Sequence, residues 1–190
     1  MDAFVLEKSF ISKLNPSIIV EIGSGSGVVT SFIRTLLSNP SSKISTTSFI
    51  NFGIDLNPAA LKATTETANL NNQSLPELIQ CDLLLPFLHR WKSCIDILIF
   101  NPPYVPTEEE PTTHLERCYA GGPTGRAAVD RLIPSVSTLL SSSGIFYLVA
   151  LKSNNIPDIF KFAFKHSLQG SIVTERRCGH EYLYILKFVK

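Results

Sequence analysis

Asn101-Pro102-Pro103-Tyr104 ends an apolar run, Ile95-Asp96-Ile97-Leu98-Ile99-Phe100. Consecutive prolines remove two backbone donors and stiffen the chain. Two acceptors remain on that rigid frame, the Asn101 side-chain oxygen and the Pro102 carbonyl. A primary amide or an amine carries two N–H donors to match them. The Tyr104 ring can pack against a flat amide or a cation. A strand merely stopped by proline would look the same in isolation.

Three further stretches carry chemistry. Glu21-Ile22-Gly23-Ser24-Gly25-Ser26-Gly27 follows a β-branched run, Ile18–Ile22, and precedes a helical stripe. Alternating glycines there let the backbone turn tightly and approach a ligand. Alone they do not separate dinucleotides from other nucleoside cofactors. Asp55 ends a second apolar run, and its carboxylate can accept from both hydroxyls of a ribose. It lies further beyond Gly27 than the roughly 20 residues usual in dinucleotide folds, the excess being a Ser/Thr-rich loop at 38–48. Asp82 ends a third run, where it can accept an exocyclic amine of adenine or cap a solvated turn.

The elements that must position these residues follow from periodicity. Val28, Val29, Phe32, Ile33, Leu36 and Leu37 recur at helical steps. Asn57-Pro58 reads as an N-cap followed by proline at the first helical position, opening a helix to about Asn71. Strands are expected over 48–56, 78–81, 95–100 and 145–151. Residues 105–125, rich in Pro, Thr, Gly and Glu, read as an exposed loop. A helix carrying Ala128, Val129, Leu132 and Ile133 follows, and another spans 155–168. SIVTERRC and EYLYILKFV leave no room for a helix between them and pair as a hairpin around Cys178-Gly179-His180. Strands alternating with helices imply an α/β protein with a parallel sheet covered on both faces. The chemistry-bearing residues then share one edge, the carboxyl ends of the strands, where ligands bind in open α/β sheets.

The 190 residues suit one domain, and 44% hydrophobic content supports a sizeable core. Net charge is +1, which disfavours a dedicated duplex-binding role. Cys81, Cys94, Cys118 and Cys178 form no Cys-x-x-Cys pair, so neither a metal site nor a disulfide framework is signalled, and they read as reduced thiols, mostly filling the core. Asp2 and Glu7 fall where a signal peptide would be basic and then apolar. No apolar run approaches the roughly 20 residues of a membrane helix. The expected location is cytoplasmic, with the nucleus as a second compartment.

VEIGSGSG at 20–27, Asp55, Asp82 and Asn101–Tyr104 together resemble class I S-adenosylmethionine-dependent methyltransferases of the HemK type. Tyr119-Ala120-Gly121-Gly122, Gly125-Arg126, Asp130-Arg131, GIFYLVALKSNN at 144–155 and LYILKF at 183–188 narrow the resemblance. They are similar to the eukaryotic/archaeal-type glutamine N5-methyltransferase of class I translation release factors, from Asp2 to Phe188. The resemblance implies a Rossmann-like class I methyltransferase fold, a seven-stranded, mostly parallel sheet with a C-terminal antiparallel hairpin strand, as one catalytic domain over 1–190. It implies S-adenosylmethionine as cofactor, with Glu21, Gly23, Ser24, Gly25 and Gly27 at its methionine part. Asp55 would hold the ribose, Asp82 and Leu83 would flank the adenine, Leu56 would also bind the cofactor, and Asn101 would be beside the reacting end. Asn101, Pro102, Pro103 and Tyr104 would hold the glutamine amide of a Gly-Gly-Gln loop. Family members carry a longer N-terminal segment, Tyr-x-Pro-x-(Glu/Asp)-Asp-(Thr/Ser), that helps enclose the cofactor. Only Asp2-Ala3-Phe4 matches its end here, so that segment reads as truncated. Family members also pair with a small zinc-binding activator protein. The apolar third strand and its flank, Leu78 to Leu88, would offer it a sheet edge. The asparagine motif is shared with adenine-N6 methyltransferases, and lysine and small-molecule acceptors stay open. A nicotinamide-dependent oxidoreductase shares the glycine loop but leaves the asparagine motif without a task. A non-catalytic scaffold on the same fold would have no need of an intact Asn101, Asp55 and glycine loop.

Overall fold

The computed structural model describes residues 1–38 and 49–190, so most of the Ser/Thr-rich loop lies outside the described residues. Its centre is a seven-stranded sheet in the order β3-β2-β1-β4-β5-β7-β6. The strands are β1 (Ile18–Ile22), β2 (Ile50–Asp55), β3 (Glu77–Gln80), β4 (Ile95–Phe100), β5 (Leu140–Leu151), β6 (Gln169–Cys178) and β7 (Glu181–Val189). β7 enters between β5 and β6 and runs antiparallel to both. The other pairings are parallel. β1 and β4 sit at the centre, and their β-branched residues are buried on both faces of the sheet, as a parallel core requires.

Two apolar layers flank the sheet. One gathers Val20, Leu98, Phe146, Leu148 and Phe188 under α6 (Ala127–Leu139) and α7 (Ile156–Lys165). The other gathers Ile19, Ile97, Ile99 and Tyr147 under α1 (Asp2–Leu6), α2 (Lys8–Leu14) and α3 (Val28–Leu37). Sequence periodicity missed α1 and α2. They are fixed by contacts remote in sequence: Phe4 meets Tyr147 edge-on at 5.3 Å, and Glu7 Oε2 accepts from Tyr147 Oη at 3.0 Å and Lys187 Nζ at 2.7 Å. No described helix is long and apolar enough to cross a membrane.

Several expectations need correction. Val28 is not on the buried stripe of α3 but exposed, while Thr30 and Ser31 are buried. Their hydroxyls donate to Glu21 Oε2 and Gln73 Oε1, which removes the cost of burying them. The cysteines do not fill the core: Cys81 and Cys94 are half-buried, Cys118 and Cys178 exposed. Residues 105–125 are not simply an exposed loop. They contain α5 (His114–Arg117), closed by a capping box of Thr113 and Glu116, and a bridge between Val105 and Ala120. Gly121 and Gly125 are buried.

Candidate functional site

Register brings the chemistry-bearing residues to one edge. Ile22 pairs with both Ile54 and Phe100, so Gly23 follows directly beside Asp55 on one side and Asn101 on the other. Asp55 in turn pairs with Gln80, which sets Asp82 two residues beyond the next strand end. Four consecutive strand ends, β3-β2-β1-β4, thus present Asp82, Asp55, the glycine loop and Asn101 in a row.

The glycine loop is shaped by its own backbone and by α4 (Pro58–Leu70). Gly23 has φ +69° and Gly25 φ +52°, the left-handed region that only glycine enters without strain. Gly23 and Ser24 N–H groups donate to Ile54 O at 2.7 and 3.0 Å, tying the loop to β2. A Cβ on Gly27 would lie 2.7 Å from Thr64 Cα, so glycine lets α3 and α4 close on each other. Thr64 Oγ1 donates to Ser24 Oγ at 3.0 Å and Thr67 Oγ1 to Ser26 O at 2.6 Å. The expected cap of α4 is present, with Asn57 Oδ1 accepting from Ala59 N at 3.0 Å.

Asp55 accepts from Gly25 N at 3.0 Å and Asn57 N at 2.8 Å, one donor on each oxygen. A carboxylate has about four lone-pair sites, so two remain for hydroxyl donors. Glu21 is 3% exposed, and its Oε2 accepts from Thr30 N at 2.9 Å and from Thr30 Oγ1. Burial pushes its carboxyl up to about 7 despite the Thr30 bonds, and the Asp55 charge adds to the rise. The folded chain therefore keeps a proton on Glu21 where the unfolded chain has lost it. Stability falls as pH climbs from 4.5 to about 7, by an order of 3 kcal/mol. Glu21→Gln keeps an oxygen for both Thr30 donors and cannot ionise. Its denaturant midpoint should exceed that of the parent above pH 7 and converge with it towards pH 4.5; a gap independent of pH would contradict the assignment.

Asp82 is half exposed, and its Oδ2 pairs with Arg131 Nη2 at 2.5 Å. Leu83, at φ +55°, is packed into the core at 6% exposure, and Cys81 Sγ donates to its carbonyl at 3.0 Å. Leu56 is 54% exposed beside Asp55. Asp82, with Leu83 and Leu56, thus stands at the outer end of the row, whereas the glycine loop lies directly between Asp55 and Asn101.

At the end of β4, Asn101 is exposed and Pro102 buried. A Cβ on Gly23 would come within 3.8 Å of Asn101 O and meet nothing closer. That is an ordinary contact, and it sets the glycine loop against the main chain of the residue that opens the acceptor frame. Among the described residues no group hydrogen-bonds to the Asn101 side chain or the Pro102 carbonyl. Downstream the chain is held firmly: Val105 N donates to Tyr119 O, Gly121 N to Val105 O and Thr107 N to Gly122 O, at 2.8 to 2.9 Å. Arg126, 7% exposed, pairs with Asp130 at 2.8 Å and Asp158 at 2.5 Å, and holds the Asp158 carboxyl below the usual carboxylate range.

Sequence reasoning gave no task to Thr30, Thr64 or Asn154. Thr30 and Thr64 sit mid-helix without a local signal, and within the GIFYLVALKSNN stretch nothing separates Asn154 from the other polar residues that follow the buried strand.

A bare glycine cradle, a carboxylate with free lone pairs and a neighbouring two-acceptor frame fit a nucleoside cofactor with an amide or amine substrate next to it. Comparison with known proteins agrees. The human protein Methyltransferase HEMK2 is 38% identical over 187 residues, which span 97% of this chain and 83% of that protein. The eRF1 methyltransferase catalytic subunit mtq2 of Schizosaccharomyces pombe is 32% identical over 182 residues, 90% of this chain and 74% of that protein. A solved structure of the E. cuniculi Mtq2-Trm112 complex, responsible for the methylation of the eRF1 translation termination factor, has TM-score 0.71. It is 22% identical and matches 100% of this chain and 94% of that one, which shows the same fold. No protein-family model matches the chain.

Proposed function

This chain belongs to the HEMK2/mtq2 family of methyltransferases, and from that premise we propose that it methylates the side-chain amide nitrogen of a glutamine in a class I translation release factor. S-adenosylmethionine supplies the methyl group, carried on a cationic sulfur. Glu21, Gly23, Ser24, Gly25 and Gly27 would hold its methionine part, Asp55 and Leu56 its ribose, and Asp82 and Leu83 its adenine. For Asp82 to take that part, Arg131 must give up or share it.

The observation that carries the reading is the acceptor pair of Asn101 and Pro102 without partners among the described residues, on a frame whose first residue lies against the glycine loop at Gly23. An amide nitrogen is a weak nucleophile because its lone pair is delocalised. The chain contributes by fixing that nitrogen in line at near-attack distance. Accepting both N–H bonds favours the more tetrahedral nitrogen that develops on transfer and rejects a hydroxyl, which has one donor. Pro103 keeps the frame stiff, and the Tyr104 ring packs against the flat amide. The nitrogen sheds its extra proton to water afterwards, so no general base is required. Net charge +1 gives little attraction for DNA as a rival substrate. Turnover on a release factor, absent when the Gly-Gly-Gln glutamine is replaced by alanine, tests the reading; equal turnover on both would refute it.

A small zinc-binding activator would dock along β3. That strand ends the sheet, with Leu56, Leu75 and Leu85 exposed at 54%, 53% and 38% around it. Leu83 and Leu84 are buried and so not part of the contact. A short unpaired edge with apolar surroundings invites an added strand. Leu85→Glu should weaken activator binding at least tenfold by calorimetry with the fold intact; unchanged affinity would move the partner elsewhere.

A further inference from the structure

Resting on the glutamine-methyltransferase reading, we propose that Asn154 is a positioning residue that sets the amide-accepting frame from behind. Pro102 and Pro103 have no N–H groups, so that stretch cannot be anchored through backbone donors. It must be anchored through carbonyls and through the chain that follows. Asn154, 2% exposed, does this at one point: Nδ2 donates to Tyr104 O at 2.8 Å and to Thr124 O at 3.2 Å, while Oδ1 accepts from Leu151 N at 2.7 Å. One side chain thus joins the end of β5, the exit of the asparagine motif and the 121–125 turn. The surrounding glycines are shaped to this junction. A Cβ on Gly125 would overlap Asn154 Nδ2 and Tyr104 O, and one on Gly121 would lie 2.6 Å from Pro103 O. None of these contacts reaches the glycine loop, so frame and cofactor cradle are separable.

Asn154→Asp is nearly isosteric and keeps the acceptor for Leu151 N, but turns an oxygen towards two carbonyls. Asn154→Leu removes the donors, and the acceptor for Leu151 N, without that repulsion. Both variants are compared with the parent chain, together with its activator, by methyl transfer to a release factor, by cofactor binding in calorimetry, and by amide hydrogen exchange. For Asn154→Asp, kcat should fall at least tenfold, with cofactor Kd within about twofold; tenfold is about 1.4 kcal/mol in the barrier. Asn154→Leu should lie between Asn154→Asp and the parent. Exchange at Val105, Thr107 and Gly121 should speed up at least tenfold while Gly23 and Ser24 stay protected. Parent-like kcat and exchange in both variants would overturn the proposal, as would a uniform loss of protection with cofactor affinity and kcat falling together. The exchange result needs no turnover, so it decides the role of Asn154 even if the parent chain fails to methylate a release factor.

Discussion

Asn101→Ala will leave the cofactor bound and slow transfer at least tenfold, about 1.4 kcal/mol in the barrier. The side chain is exposed at the end of β4, and no described group hydrogen-bonds to it, so its removal leaves no buried polar atom unsatisfied. Fold and stability should therefore hold. What is lost is one of two acceptors on the substrate N–H₂ group. The Pro102 carbonyl alone can still accept one N–H, but it no longer fixes the plane of the amide. A nitrogen free to rotate about one hydrogen bond spends less of its time in line with the methyl carbon. The loss should appear in kcat, with cofactor Kd within about twofold. Wild-type turnover in this variant would remove Asn101 from the reaction.

Asp55→Ala should do the reverse. The carboxylate holds Gly25 N at 3.0 Å and Asn57 N at 2.8 Å, and its remaining lone pairs are those assigned to the ribose. Removing it loosens the cradle and takes away the hydroxyl acceptors together. Cofactor affinity should fall at least tenfold, about 1.4 kcal/mol. Stability should fall by about 1–3 kcal/mol, because two N–H groups lose partners. A third consequence follows from electrostatics. The Asp55 charge adds to the upward shift of Glu21, so Glu21 should titrate lower in the variant. Calorimetry showing unchanged cofactor affinity would take Asp55 out of the site. The two variants separate the crevice into a part that binds and a part that aligns.

Much of this site was legible because each part carries a local signal. Gly23, Gly25 and Gly27 are glycines where the backbone takes positive φ, and Asn57-Pro58 marks the start of α4. Asp55 and Asn101 each follow a mostly apolar run, so their place at a strand end could be read directly. What could not be read depends on partners distant in sequence. Arg131 lies 49 residues from Asp82, and no pattern around either suggests that they pair. Asn154 reaches 50 residues back to Tyr104, and Tyr147 140 residues back to Glu7. Thr30 and Ser31 look like the polar side of α3 and are buried, since Glu21 and Gln73 satisfy them. Composition suggested a solvated loop over 105–125, but backbone bonds to Val105 and Thr107 fold that stretch against the acceptor frame.

The measurement that bears most directly on this account is the position of the transferred methyl. The chain, with the proposed activator and labelled S-adenosylmethionine, is offered a release factor and an adenine-containing DNA duplex in one reaction, and the products are fragmented in a mass spectrometer. One methyl is expected on the side-chain nitrogen of the Gly-Gly-Gln glutamine, reduced at least tenfold in Asn101→Ala. A methyl on adenine or on a lysine, or an undiminished glutamine signal in Asn101→Ala, would contradict it.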